Sequence, residues 1–400
     1  MLCVYFRLRH LRHDLAVRFK KGMKHEASSL IAVPAIESNR FAAAYQILKD
    51  ALAAHAFPGC AFGVFAGGKV VLQDALGGFT YDDDAPAVTA ETVFDVASIT
   101  KVVSTTAAAM LLYQRGLLDL DLPLGELLPG FVVGRSAGEL AHRVTLRNLL
   151  AHNSGLPGYV DFYRTITTPA ALYRACLELP LEAAPGARAE YSDPGFILLG
   201  KALEELTHEY LAIWARKEVF EPLQLTATKF CPAPGAQALI PPTEIDSTLR
   251  RRRIQGEVQD EHAWLLRGAG GHAGLFSNVP DLLRFAGVIL AAVHPPTPSL
   301  NTPLLTAGTV ECFAERQGPP GSSRALGWDT PSENSSAGAH FSSHSIGHLG
   351  FSGCSLWIDL DAAIAVVLLT NRTWPDRSAA TAQLIREVRP AFHDAIRKAL

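Results

Sequence analysis

The chain has 400 residues, 48% hydrophobic and 19% charged, with a formal net charge of −3. That length provides for one large domain or two moderate ones around a substantial apolar core. The near-neutral balance gives no reason to expect nucleic acid, and no segment approaches the roughly 20 apolar residues that cross a bilayer.

In chain order, residues 1–40 carry Arg7, Arg9, Arg12, Arg18, Lys20, Lys21 and Lys24 without the apolar core of a signal peptide. They are expected to be a basic, poorly ordered extension, with Met23 as an alternative start. As written, the chain reads as cytoplasmic; a misassigned start would allow a periplasmic or extracellular protein. Helical spacing over 41–56 stops at Pro58-Gly59. Cys60 to Ala66 and Lys69 to Leu76, separated by Gly67-Gly68, predict a hairpin. A helix is expected from Ser98 to Gly116, where glycine can take the left-handed cap. Residues 117–147 read as loop. Helices are expected at Leu146 to His152 and at 169–178, 194–208 and 210–219. Residues 231–242, 295–304 and 317–339 are turn-rich. The run Arg250-Arg251-Arg252-Arg253, followed by Glu257, Asp260 and Glu261, reads as a solvated loop. Ser355 to Asp359 and Ala363 to Thr370 predict a second hairpin, and Ala379 to Leu400 an amphipathic helix.

Strands at both ends of the chain predict an α/β (α+β) fold. An antiparallel sheet is built from N- and C-terminal segments (about 41–97 and 340–400) and flanked by helices. A large, mostly helical part (about 98–339) is inserted between them, and 41–400 is read as one domain. The six cysteines are scattered with no C-x-x-C pair, which fits reduced thiols better than a zinc site or a disulfide scaffold. His340, His344 and His348 are spaced by four, but their segment is too rich in Ser and Gly for a helix, so no metal is expected.

Three constellations carry chemistry. In Ser98-Ile99-Thr100-Lys101 a hydroxyl and an amine lie one helical turn apart, ahead of an apolar stretch with no charge until Arg115. A serine becomes a nucleophile when a base takes its proton, and a buried lysine can be that base. Alone, this pattern is more often a serine near a helix start followed by a solvated lysine. Tyr191-Ser192-Asp193 follows the turn Pro185-Gly186. It reads both as a proton-relaying phenol and as a turn with a helix cap before Pro194. Gly347-His348-Leu349-Gly350-Phe351-Ser352-Gly353 precedes the last hairpin. Glycines at that density let backbone approach a ligand, and an N–H there could join that of Ser98 in an oxyanion hole.

The order and spacing of these three motifs resemble the serine β-lactamase and penicillin-binding-protein superfamily, especially the branch of class C β-lactamases, D-Ala-D-Ala peptidases and related esterases. Val144 to Pro157, Pro185-Gly186, Gly268 to Ser277 and Leu369-Thr370-Asn371-Arg372 are similar to segments of that family, and the resemblance spans about 42–396. It implies that Ser98 is the acylated nucleophile, Lys101 its base and Tyr191 a second proton relay. His348 takes the place of a third-motif lysine, and the N–H groups of Ser98 and Phe351 form the oxyanion hole. His348, Leu349, Gly350 and Asp193 are expected to bind substrate.

Two departures matter. Asp193 stands where the family has Asn and would favour the charged form of Lys101. Asp193 must turn away or be protonated, or Tyr191 is the working base. Leu349 stands in place of Thr or Ser, so that with His348 a substrate carboxylate loses a donor and a fixed charge. The expectation is a serine hydrolase of ester- or amide-cleaving type with no metal or organic cofactor, acting on a small ester, amide or cell-wall fragment. The alternatives are a β-lactamase or D-Ala-D-Ala carboxypeptidase, a muramyl-peptide amidase, and a non-catalytic penicillin-recognising sensor.

Overall fold

A computed structural model describes residues 40–136, 138–295 and 304–400. The expectation of a basic extension lies almost wholly outside these residues. Helix α1 (Ala42–Ala53) leads into β1 (Gly59–Ala66) and β2 (Lys69–Gly77), the anticipated hairpin. A short β3 (Phe94–Asp95) delivers the chain to Ser98. The Ser98 helix is not uniform: a 3₁₀ turn at Ala97–Ile99 opens into a wide π-helical turn at Lys101–Thr106 before regular α2 (Ala107–Gln114). Such widened turns recur at functional sites. Helix α3 (Asp193–Thr207) is followed by β4 (Lys229–Phe230) and the small ribbon β5 (Glu244–Asp246) and β6 (Arg252–Ile254). Next come α4 (Glu261–Leu265), β7 (Leu275–Ser277) and α5 (Val279–Val293). The chain closes with β8 (Ser345–Leu349), β9 (Ser355–Asp359), β10 (Ile364–Thr370) and α6 (Ala379–Ala399).

The main sheet is antiparallel in the order β2-β1-β10-β9-β8, so first and last strands of the chain do pair at its centre, with Cys60 opposite Thr370. Residues alternate faces along a strand. Ala61, Val367, Leu369, Leu356 and Ile358 point to the helical core, whereas Cys60, Phe62, Val64, Val366, Leu368 and Trp357 point to α1 and α6. Burial on both faces explains why β10 reads as one continuous apolar run. Phe62 anchors the outer layer, edge-on to Tyr45 of α1 and Phe392 of α6.

A sequence expectation is corrected. The arginine run is not simply a solvated loop. The Arg250 side chain is enclosed, donating to the Asp246 carboxylate at 3.0 Å and to the Val258 and Gln259 carbonyls at 2.6 Å, while Arg251, Arg252 and Arg253 are exposed. Helix α5, which went unanticipated, is capped by Asn278 accepting from the Asp281 N–H at 3.0 Å and packs on the sheet.

That packing depends on Gly63. A Cβ there would lie 2.6 Å from Val279 Cγ1 and 2.7 Å from Leu283 Cδ1. Gly63→Ala is therefore expected to destabilise the fold by about 1–3 kcal/mol, read by denaturant unfolding; an unchanged midpoint would show that α5 is free to shift.

Candidate active site

The approach to Ser98 is set by β3 and its surroundings. Val96 N–H donates to Leu275 O of β7 at 3.1 Å, and Ala97 takes a left-handed φ of +47°. For a residue with a Cβ that conformation costs of order 1–3 kcal/mol and persists only where the surroundings enforce it. Two hydrogen bonds do so: Ala97 N–H donates to buried Asp95 Oδ1 at 2.8 Å, and Thr100 Oγ1 donates to Ala97 O at 2.6 Å. Asp95 also accepts from Gln259 N–H at 2.7 Å, tying the nucleophile turn to the segment before α4. Burial pushes its carboxyl up to about 6, against the pull of those two N–H bonds.

Lys101 is fully buried, and its ammonium donates three ways: to Ser98 Oγ at 3.1 Å, to Asp193 Oδ1 at 2.7 Å and to His272 O at 3.1 Å. Its charge also faces the rings of Tyr191 and Phe196, 4.7 and 5.6 Å from their centres. Asp193 is free to do this because Ser192, not Asp193, caps α3, accepting from Gly195 N–H at 3.0 Å. The third partner arrives because the 268–274 loop is glycine-rich. A Cβ on Gly271 would lie 3.0 Å from the Gly200 backbone of α3, and Gly271 O accepts from Thr105 Oγ1 at 2.6 Å.

Burial opposes the Lys101 charge, but the Asp193 carboxylate outweighs that and holds the lysine above its ordinary value. Burial also raises the Tyr191 phenol, with Lys101 opposing and Asp193 adding to the shift. Asp193 does not turn away, which removes one of the three alternatives open for it. At rest the pocket holds an ammonium, a carboxylate and a neutral phenol around the serine hydroxyl.

The third motif arrives on the end of β8. A Cβ on Gly350 would lie 2.5 Å from Val96 O, so only glycine lets this strand end touch the backbone that leads to Ser98. Ser352 Oγ donates to Asp95 O at 2.8 Å, and buried Arg389 of α6 reaches the carbonyls of Gly350, Gly353 and Cys354 at 2.7–3.1 Å. These bonds fix the turn that carries Phe351, which lines the same cavity as Ser98. Among the described residues, neither the Ser98 nor the Phe351 N–H is paired within the turns and loops.

His348 is buried and donates from Nδ1 to Leu349 O at 2.8 Å. Burial, then the charges of Lys101 and Arg324, press its pKa well below the ordinary value, so it stands as a neutral imidazole where the family has a cation. The fixed charge comes from elsewhere: the Arg324 guanidinium lies 5.3 Å from the Tyr191 ring centre. His152 supports Tyr191 from behind, with ring centres 4.6 Å apart, and its Nδ1 accepts from Ser192 N–H at 3.0 Å.

Ser98, Tyr191, Asp193, His348, Leu349, Gly350 and Phe351 all line one cavity of about 680 Å³, with Lys101 beneath its floor. Sequence reasoning missed Arg324 and Arg389, which sit in segments without a motif. His152 and His272 stand in stretches similar to the family's, but no local pattern gives either a role. His340, His344 and His348 do not converge: His344 pairs with Glu311 and Asp361.

This architecture, a five-stranded antiparallel sheet with a helical part holding the serine, is the β-lactamase and transpeptidase fold. It superposes on the structure of EstCE1, a hydrolase with promiscuous acyltransferase activity, with a TM-score of 0.69 at 21% identity, covering 89% of this chain and 100% of that one. The chain is 30% identical over 355 residues to an N-acetylmuramyl-L-alanine amidase of Bacillus subtilis, covering 79% of this chain and 77% of the relative. It is 29% identical over 337 residues to a Salmonella typhimurium protein provisionally named D-alanyl-D-alanine carboxypeptidase, covering 76% of each. Residues 44–389 match the β-lactamase family, and the chain belongs to that family of hydrolases.

Asp193→Asn removes the leading charge that raises Lys101, so its pKa falls. The pH at which Ser98 becomes reactive to a fluorophosphonate is expected to drop by about 1–3 units, measured as labelling rate against pH. An unmoved profile would mean that Lys101 protonation does not gate Ser98.

Proposed function

We propose that this protein is a serine hydrolase that cleaves an amide or ester bond of an anionic cell-wall fragment through an acyl-enzyme on Ser98. The observation that carries the reading is the 3.1 Å contact between Ser98 Oγ and buried Lys101 Nζ at the floor of an accessible cavity.

The resting ammonium must first lose a proton. That proton leaves through the accessible cavity as pH rises, against the hold of Asp193 Oδ1 2.7 Å away. Neutral Lys101 then takes the Ser98 proton as Oγ bonds to the substrate carbonyl carbon. The carbonyl oxygen becomes an oxyanion between the N–H groups of Ser98 and Phe351. The C–N or C–O bond breaks, and Tyr191, recharged from Lys101, protonates the departing amine or alcohol. Water attacks the ester on Ser98 by the same groups in reverse, releasing a carboxylic acid and free serine.

The substrate class rests on charge. Arg372 lines the cavity with its guanidinium 4.5 Å over the Phe351 ring, is almost wholly buried, and leaves Nη1 without a partner among the described residues. Burial and the nearby Arg377 and Arg386 press its pKa down to about 10. A buried cation without a counter-charge is costly, and a carboxylate on the substrate would satisfy it. Muramyl peptides carry such carboxylates, and similarity to an amidase of that class supports the choice. The neutral His348 and apolar Leu349 argue against the carboxylate-binding mode of the lactamases.

A fluorophosphonate should label Ser98 stoichiometrically and leave folded Ser98→Ala unlabelled. Hydrolysis of a muramyl-peptide amide should exceed that of a chromogenic cephalosporin. Arg372→Ala should raise KM for the anionic substrate at least about tenfold while sparing a neutral p-nitrophenyl ester. Faster cephalosporin turnover, or equal loss on both substrates, would contradict the substrate assignment; acylation without turnover would make the protein a sensor.

A further inference from the structure

A second cluster lies beside the serine site and is not used by that chemistry. Asp260 ends the segment before α4, His262 sits in the first turn of that helix, and His272 lies on the glycine-rich loop. One donor atom from each falls within 4.8 Å of the others. We infer that Asp260, His262 and His272 form a binding site for a divalent transition metal, with Zn²⁺ the best fit to two imidazoles and one carboxylate.

The chemistry of the donors supports this. Tetrahedral zinc bonded at about 2.0–2.2 Å separates its ligands by roughly 3.4 Å. His272 Nε2 and Asp260 Oδ1 are already 2.8 Å apart, so closing the set on an ion needs only small side-chain movements. His262 is the telling residue. It is fully buried, and neither ring nitrogen has a hydrogen-bond partner among the described residues. Around it stand the rings of Tyr159, Phe162 and Tyr163, with centres 5.1–5.9 Å away, which shield the imidazole without bonding to its nitrogens. A buried imidazole left unpaired on both sides is unfavourable, and coordination by one nitrogen relieves part of that. Binding would displace the proton that lies between His272 Nε2 and Asp260 Oδ1 in their 2.8 Å hydrogen bond.

Asp260 and Tyr159 line the same cavity as Ser98, which leaves solvent as a fourth ligand. The same His272 offers its backbone carbonyl to Lys101 Nζ at 3.1 Å. An ion held on the His272 ring would therefore brace the carbonyl that holds the lysine, as a positioning element rather than a reacting one.

The test uses the whole chain, stripped with a chelator and titrated with Co²⁺ and Zn²⁺. The expected result is one ion per chain and a Co²⁺ ligand-field spectrum of tetrahedral intensity, displaced by Zn²⁺. His262→Asn and Asp260→Asn, each checked for folding by near-ultraviolet circular dichroism, should weaken binding at least about tenfold, whereas His344→Ala should not. Absence of a stoichiometric site in the wild-type chain would overturn the proposal. So would binding unchanged in folded His262→Asn, which would mark an adventitious ion at another site. Fluorophosphonate labelling of Ser98 reports separately on the hydrolase reading, so either can fail alone.

Discussion

A single buried ammonium organises this molecule. Lys101 Nζ bonds to a side chain at its own helix start, to a carboxylate 92 residues on and to a carbonyl 171 residues on, and no part of its side chain meets solvent. Burying a charge is tolerated only when partners replace water, and breaking such a pair costs about 3–5 kcal/mol. The arrangement therefore fixes the relative positions of the Ser98 turn, the start of α3 and the glycine-rich loop. It also sets the chemical problem, because the carboxylate that makes burial affordable opposes the basicity that a serine nucleophile requires. In the proposed reaction that conflict is lifted when Lys101 loses its proton to solvent.

The remaining structure brings backbone to this point at distances that side chains would forbid. Gly350 touches Val96, and Gly271 threads against α3. Arg389 crosses from the C-terminal helix to clamp the turn that carries Phe351. In each case the residue near the chemistry is held by something distant in sequence, so the two ends of the chain pair at the sheet's centre while the helical part supplies the opposite wall.

Much of this was legible in the sequence. The hairpins at Gly59–Gly77 and Ser355–Thr370 announce themselves by apolar runs broken at Gly67-Gly68 and at Asp359-Leu360-Asp361. The three motifs named the residues that meet in the cavity. Less legible were features created only by folding. Arg250 looks like its three neighbours until Asp246 and two carbonyls close on it. Short β3, β4 and β7 are too brief to carry a period-2 pattern. Arg324 and Arg372 gain their meaning from facing a cavity, which no local pattern encodes. The consequence of Asp193 was visible as a conflict, but only the 2.7 Å contact decided that it faces the lysine.

The central claim is that Lys101 rests as an ammonium held by Asp193. Selective ¹⁵N labelling of lysine, with the Nζ resonance of Lys101 assigned by Lys101→Arg, tests it directly by titration. The account predicts that Lys101 stays charged beyond the midpoint of about 10.4 of an ordinary lysine, and titrates lower in Asp193→Asn. A neutral Lys101 amine at pH 8 in the wild-type protein would contradict it.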